Sequence, residues 1–113
     1  MKVDQLIPKV KERVQFSLKS WKFVPKEAGC YVLTTFEGEV LYVGLTDSLY
    51  RRFFEHRDTK EKCNPTKLGL AFWFYYLVSD EKEINRIERG WLNQHLSIHG
   101  KFPILNKVHS PVR

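Results

Sequence analysis

The spacing of apolar residues divides this chain into segments of different period. Two short runs of β-favouring residues, Cys30 to Thr35 and Val40 to Val43, flank Phe36-Glu37-Gly38-Glu39. That pattern predicts a tight antiparallel hairpin. Gly44 ends the second run, and Thr46-Asp47-Ser48 offers short polar side chains suited to capping a helix. From Leu49 the period becomes helical. At about 100° per residue Leu49, Tyr50, Phe53 and Phe54 share one face, with Arg51 and Glu55 opposite. Arg52 and His56 fall at the edge of that face, where both can lean over a cleft and stay in water. The helix is expected to end near Arg57, and Asp58 to Lys67 reads as a polar loop with a turn at Asn64-Pro65.

Gly69 to Val78 (GLAFWFYYLV) is apolar on both faces. It predicts a third strand covered by helices on both sides, with its aromatics in the core. Asp80 and Glu83 resemble a capping box, and a helix is expected from Glu81 to His99, closed by Gly100. Its stripe is Ile84, Ile87, Trp91, Leu92 and Ile98. Gly90 lies mid-helix, where close packing would explain it. Residues 1–22 carry Pro8, then Val10, Val14, Leu18 and Trp21 at helical spacing, which predicts an accessory helix with a solvated lysine face. The expected fold is α+β: a small three-stranded antiparallel sheet flanked by helices, with an extra N-terminal helix. Residues 1–24 form that helix and a linker, 25–108 the main domain and 109–113 a tail.

A chain of 113 residues suits one domain with one core, which eight Phe, five Tyr and three Trp help to fill. Nineteen Lys and Arg against 13 Asp and Glu give a net charge of +6 and a pI near 9.4. That balance suits a polyanion such as DNA, with RNA not excluded. Cys30 reads as a small core residue and Cys63 as a wet thiol, a usage that fits a reducing, cytoplasmic compartment. A secretory leader is not expected from the residues at 1–18, and the run from Leu68 to Val78 is too short to span a bilayer, so no membrane partner is expected. His95 and His99 are spaced as helical metal ligands can be, but no further Cys or His completes a zinc set.

Glu88 is the oddest position, because it falls inside the apolar stripe of its helix. A carboxylate facing a core is costly unless a cation or hydrogen bonds answer it. It is either a structural partner of an arginine or a metal ligand at a cleft floor. The cations Arg57, Lys60, Lys62 and Lys67 are either a solvated loop or a mobile basic lip over such a cleft.

Taken together, these positions resemble the GIY-YIG nuclease family. Gly29-Cys30-Tyr31 and Tyr42-Val43-Gly44 match the two halves of its signature. Arg52 follows Tyr42 by ten positions, His56 follows Arg52 by four, Glu88 precedes Trp91 by three, and Asn106 follows Pro103. The resemblance implies a metal-dependent endonuclease acting on DNA. Tyr42 would take the proton of the attacking water, Tyr31 would orient it, and His56 would assist Tyr42 or touch phosphate. Arg52 would grip the phosphate, and Glu88 would hold one Mg²⁺ or Mn²⁺. Gly29, Gly44 and Asn106 would support the site, Gly44 by letting backbone approach the substrate. Arg51, Arg57, Lys60, Lys62 and Lys67 would contact nucleic acid. Relatives usually add a targeting domain, so a protein partner, a homodimer or substrate structure is expected to choose the cut. Leu45 stands where relatives often carry lysine or a small polar residue, which removes one expected phosphate contact. The alternatives are a non-catalytic nucleic-acid-binding module on the same fold, or a basic domain that binds protein.

Overall fold

The computed structural model describes residues 1–106. The hairpin forms from β2 (Gly29–Thr34) and β3 (Val40–Thr46), paired antiparallel so that Tyr31 faces Gly44 and Leu33 faces Tyr42. Gly38 takes the positive φ of 91° that the turn requires. Helix α1 (Leu49–Arg57) follows, its first turn capped by the Ser48 hydroxyl, which accepts from Arg51 N–H at 3.3 Å. A one-turn helix α2 (Lys60–Cys63) sits in the segment expected to be loop. The Cys63 thiol is half-buried and donates to the Arg57 carbonyl at 3.3 Å, so it closes the end of α1 and is not a wet thiol.

Strand β4 (Trp73–Val78) pairs antiparallel with β2, and helix α3 (Ile84–His99) returns over the sheet. The strand is shorter than its apolar run because Gly69 turns the chain at φ 129°, which leaves Leu68 and Leu70 outside. The Asp80 carboxylate accepts from Lys82 and Glu83 N–H, both at 3.1 Å, in a turn that precedes the helix. Alternation along β2 separates two cores. Cys30 and Val32 pack with Ile84, Ile87, Trp91 and Leu92 of α3. Tyr31 and Leu33 pack with Leu49 and Phe53 of α1 and with Phe74. The expected layering, helices on both sides of the strand, is thus observed.

The N-terminal segment departs from expectation. It is not a helix: residues Glu12–Gln15 form a fourth strand, β1, between two short 3₁₀ helices at Val3–Gln5 and Leu18–Phe23. Among the described residues the sheet order is β1-β4-β2-β3, four strands and not three. A spacing of four, as between Val10 and Val14, satisfies an alternating period as well as a helical one. The outer edge of β4 decides between them, because its backbone groups need partners. Arg13 then lies 3.7 Å over the Trp73 ring and donates to the Tyr75 hydroxyl at 3.0 Å. Two smaller expectations on α3 also fail. Ile98 is 55% exposed, and a Cβ on Gly90 would meet nothing within 4 Å, so no close packing demands that glycine. The expected tail at 109–113 lies outside the described residues.

The free edge of β3 is closed by residues 103–106. Leu105 N–H donates to the Leu41 carbonyl at 2.9 Å. The Asn106 side chain pairs with Val43 as a strand would: Val43 N–H donates to Oδ1 and Nδ2–H donates to the Val43 carbonyl, both at 2.9 Å. Asn106→Ala orphans two buried backbone groups, each worth roughly 1–3 kcal/mol. Thermal denaturation should show a clear fall in midpoint, whereas an unchanged melt would contradict this pairing.

Candidate active site

The site is built around Tyr31. Strand alternation aims its ring at α1, where it is wholly buried. A Cβ on the facing Gly44 would lie 2.4 Å from Tyr31 Cζ and from its hydroxyl, so only glycine leaves room for the phenol. Gly44 therefore serves the ring across the strand, before any approach of substrate. Gly29 has a similar constraint, since a Cβ there would sit 2.4 Å from the Leu77 carbonyl oxygen. Phe74 stacks on Tyr31 with centroids 5.2 Å apart, a support that the alternation within FWFYY could have signalled.

Helix α1 brings His56 and Arg52 to the same place. The Tyr31 hydroxyl and His56 Nε2 are 2.6 Å apart. His56 is buried, not at a solvated edge: burial, with Lys62 and Arg52 nearby, pushes its imidazole down to about 3. The ring is therefore neutral at physiological pH, and its Nε2 accepts the Tyr31 O–H when Nδ1 carries the hydrogen. Arg52 is 16% exposed at its side chain and lies 3.0 Å from a Glu55 oxygen. Tyr42 is half-buried, its ring 6.0 Å from Tyr31 and 5.2 Å from His56. Lys62 of α2 extends its ammonium 4.7 Å over the Tyr42 ring.

Burial raises the Tyr31 phenol well above its ordinary value, against the pull of Arg52. Burial also raises Tyr42; contact with Tyr31 and the Arg52 charge lower it, and Glu88 raises it further. The guanidinium and the carboxylate thus both act on one phenol, although they come from α1 and α3. Glu88 is only 5% exposed, and its Oε2 has no hydrogen-bond partner among the described residues. Burial pushes its carboxyl up, and Arg89 offsets this only in part. Among the described residues no salt bridge reaches it, so no described arginine pairs with it directly.

The remaining candidates disperse. Arg51 is exposed and paired with Asp47 at 2.6 Å and Glu55 at 3.5 Å. Arg57 is no lip residue: it packs 4.8 Å over Phe16 and donates to the Phe16 carbonyl at 3.2 Å. Lys60 is exposed on α2. Lys67 lines a cleft of about 180 Å³ with Glu39, His95, His99 and Lys101, away from the tyrosines. His95 Nδ1 lies 2.7 Å from the Lys101 carbonyl and His99 Nε2 lies 2.7 Å from the Met1 nitrogen, so both rings are engaged in the fold. Leu45 is buried in the core beneath α3. Its side chain packs on the α3 side of the sheet, the layer that carries Glu88.

The depressed His56 pKa carries a sign. Unfolded, the imidazole takes up a proton below about 6.5; folded, it does not until about 3. Stability should therefore fall as pH drops through that window. Urea denaturation at pH 7 and pH 4.5 should show a smaller drop for His56→Gln than for the wild type, and equal drops would contradict the assignment.

The family model described as the GIY-YIG catalytic domain matches residues 27–101. The UvrABC system protein C of Mycoplasma genitalium is 29% identical over 79 residues, which cover 66% of this chain and 13% of that protein. The chain thus spans a small part of that relative's length. Because the matched residues make up well over half of the chain and hold both tyrosines, Arg52, His56 and Glu88, the chain belongs to the GIY-YIG catalytic-domain family.

Proposed function

We propose that the protein is an endonuclease that hydrolyses phosphodiester bonds in DNA with one divalent cation, Mg²⁺ or Mn²⁺, held by Glu88. The observation that carries this reading is a buried Glu88 oxygen, without a partner among the described residues, whose charge acts on the same phenol as Arg52. The donor set fits the ion. A hard cation of this size takes one or two carboxylates and completes its shell with water and phosphate oxygens. Among the described residues no cluster of three His, Cys, Asp or Glu side chains offers a softer or fuller cage. When bound, such an ion would offset charge developing on the phosphate and reverse the field that Glu88 imposes on Tyr42.

The chain's own groups then divide the work. Arg52 presents a planar fork to phosphate oxygens and stabilises the added negative charge. Tyr42, half-exposed in front of Tyr31, accepts the proton of the attacking water as the new bond to phosphorus forms. The bond to the leaving oxygen breaks, and that oxygen departs as an alkoxide to be protonated by solvent. Tyr31 and neutral His56 stand behind Tyr42 and fix its orientation. Lys62 adds positive charge where the backbone must approach.

Proton acceptance requires Tyr42 as phenolate, and burial holds its pKa above the ordinary value near 10. The cleavage rate at saturating Mg²⁺ should therefore rise with pH across the neutral and alkaline range, about tenfold per unit until the bound ion's effect levels it. Tyr42→Phe should lose that slope and at least 10²-fold in rate, on the order expected for one acid–base group. A flat profile in the wild type would contradict the role.

Glu88→Gln separates chemistry from folding. The folded pKa of Glu88 is raised, so its ionised form opposes folding once pH climbs past the unfolded value. The amide should raise the melting temperature at pH 7, with the gain vanishing in acid below the ordinary carboxyl range. The same change should abolish Mg²⁺-dependent nicking of supercoiled DNA and Mn²⁺-induced thermal stabilisation. Equal nicking by wild type and variant would overturn the proposal.

A further inference from the structure

The 3₁₀ helix Leu18–Phe23 presents an aromatic surface beside α1 that the proposed chemistry does not use. Three residues per turn place Leu18 and Trp21 on one face. Val24 is buried, while Leu18 and Trp21 remain 55% and 42% exposed. The Trp21 ring is 6.0 Å from both Tyr50 and Phe54, which stand 5.3 Å apart on α1. An indole fixed by two rings and still this open is a rigid plane offered to solvent. Its surroundings are cationic. Residues 17–26 hold Lys19, Lys22 and Lys26 and no acid, the next acid being Glu27. All three lysines are exposed, and Lys26 reaches 5.1 Å over the Tyr50 ring.

The position suits a substrate strand. Tyr50 and Phe54 leave α1 on one flank of its buried face, and Arg52 leaves on the other. A strand crossing the helix from Arg52 to Trp21 covers roughly one helix diameter, about 10–12 Å, or about three nucleotide steps. On that path Arg51 and Arg52 offset Asp47 and Glu55. Open π-faces bordered by cations are the means by which proteins hold single-stranded nucleic acid without reading its sequence.

We propose that Trp21, braced by Tyr50 and Phe54, stacks an unpaired base of the substrate strand a few nucleotides from the scissile phosphate, with Lys19, Lys22 and Lys26 on the adjoining backbone. The site would thereby favour DNA with a single-stranded segment beside the cut. This rests on the nuclease reading of the Glu88 site. It also uses a segment that precedes the family match at residue 27.

The test is binding without cleavage. Fluorescence anisotropy in EDTA would follow a labelled oligothymidylate and a blunt duplex of equal length. Trp21→Ala should weaken single-strand binding about 5- to 100-fold, as the loss of one stacked base does, and leave duplex binding within about twofold. Trp21→Phe should retain most of the affinity. The double variant Lys19→Ala/Lys22→Ala, which leaves the Trp21, Tyr50 and Phe54 cluster and the Lys26 contact to Tyr50 in place, should flatten the salt dependence of single-strand binding by about 0.7 per lysine in log–log slope. Equal losses on both DNAs, or no loss on either, would overturn the stacking proposal while leaving the nuclease reading intact. Failure of the wild type to bind either DNA at low salt would overturn both.

Discussion

The close fit of Tyr31 over Gly44 governs the rest of the molecule. The ring can lie across β3 only because the facing residue has no Cβ, and a hypothetical one would sit 2.4 Å from the phenol. Register is then fixed. A slip of one residue would turn Tyr31 to the α3 side and put Cys30 or Val32 against α1. With the ring in place, Phe74 stacks behind it, His56 meets its hydroxyl, and α1 must approach at the angle that satisfies both. Arg52, one turn before His56, is carried to Tyr42 by the same docking. A cross-strand packing constraint thus sets the position of the candidate site.

On the opposite layer the structure tolerates a feature that folding alone would reject. Glu88 sits in the stripe of Ile84, Ile87, Trp91 and Leu92 with an oxygen that no donor among the described residues meets. The helix that carries it is held by apolar burial and by specific ties. The Cys30 thiol donates to the Ile84 carbonyl at 3.2 Å, and Trp91 Nε1–H donates to the Pro8 carbonyl at 2.9 Å. Burial pushes the Cys30 thiol up to about 12, so it remains protonated and inert as part of that anchor. A group that weakens the fold and acts electrostatically on the phenol proposed to react is what a site that trades stability for function would contain.

The hairpin, α1 and α3 were legible in the sequence because local periodicity, capping residues and the spaced chemical signature all pointed to the same elements. Glu88 stood out for the same reason, as a lone carboxylate in a regular apolar stripe. What was not legible depended on long-range contacts. Val10 and Val14 fit a helix and a strand equally, and the open edge of β4 selected the strand. His56 lay at the rim of a helical wheel, but its burial followed from the Tyr31 hydroxyl across the sheet. Arg57 looked like a solvated cation until the N-terminal segment placed Phe16 under it. Trp21 read as helix core and instead lies open against Tyr50, because its segment folds as a 3₁₀ turn beside α1. In each case the deciding partner was more than twenty residues away.

The central claim is that one buried carboxylate, placed to act on the phenol that Arg52 also polarises, holds a divalent cation. The most direct measurement is anomalous scattering from a crystal of the wild-type protein soaked in Mn²⁺. The account predicts a peak within ligand distance of Glu88 Oε2, on the side facing Tyr42. A peak confined to the His95 and His99 cleft, or none beside Glu88 at saturating Mn²⁺, would contradict it.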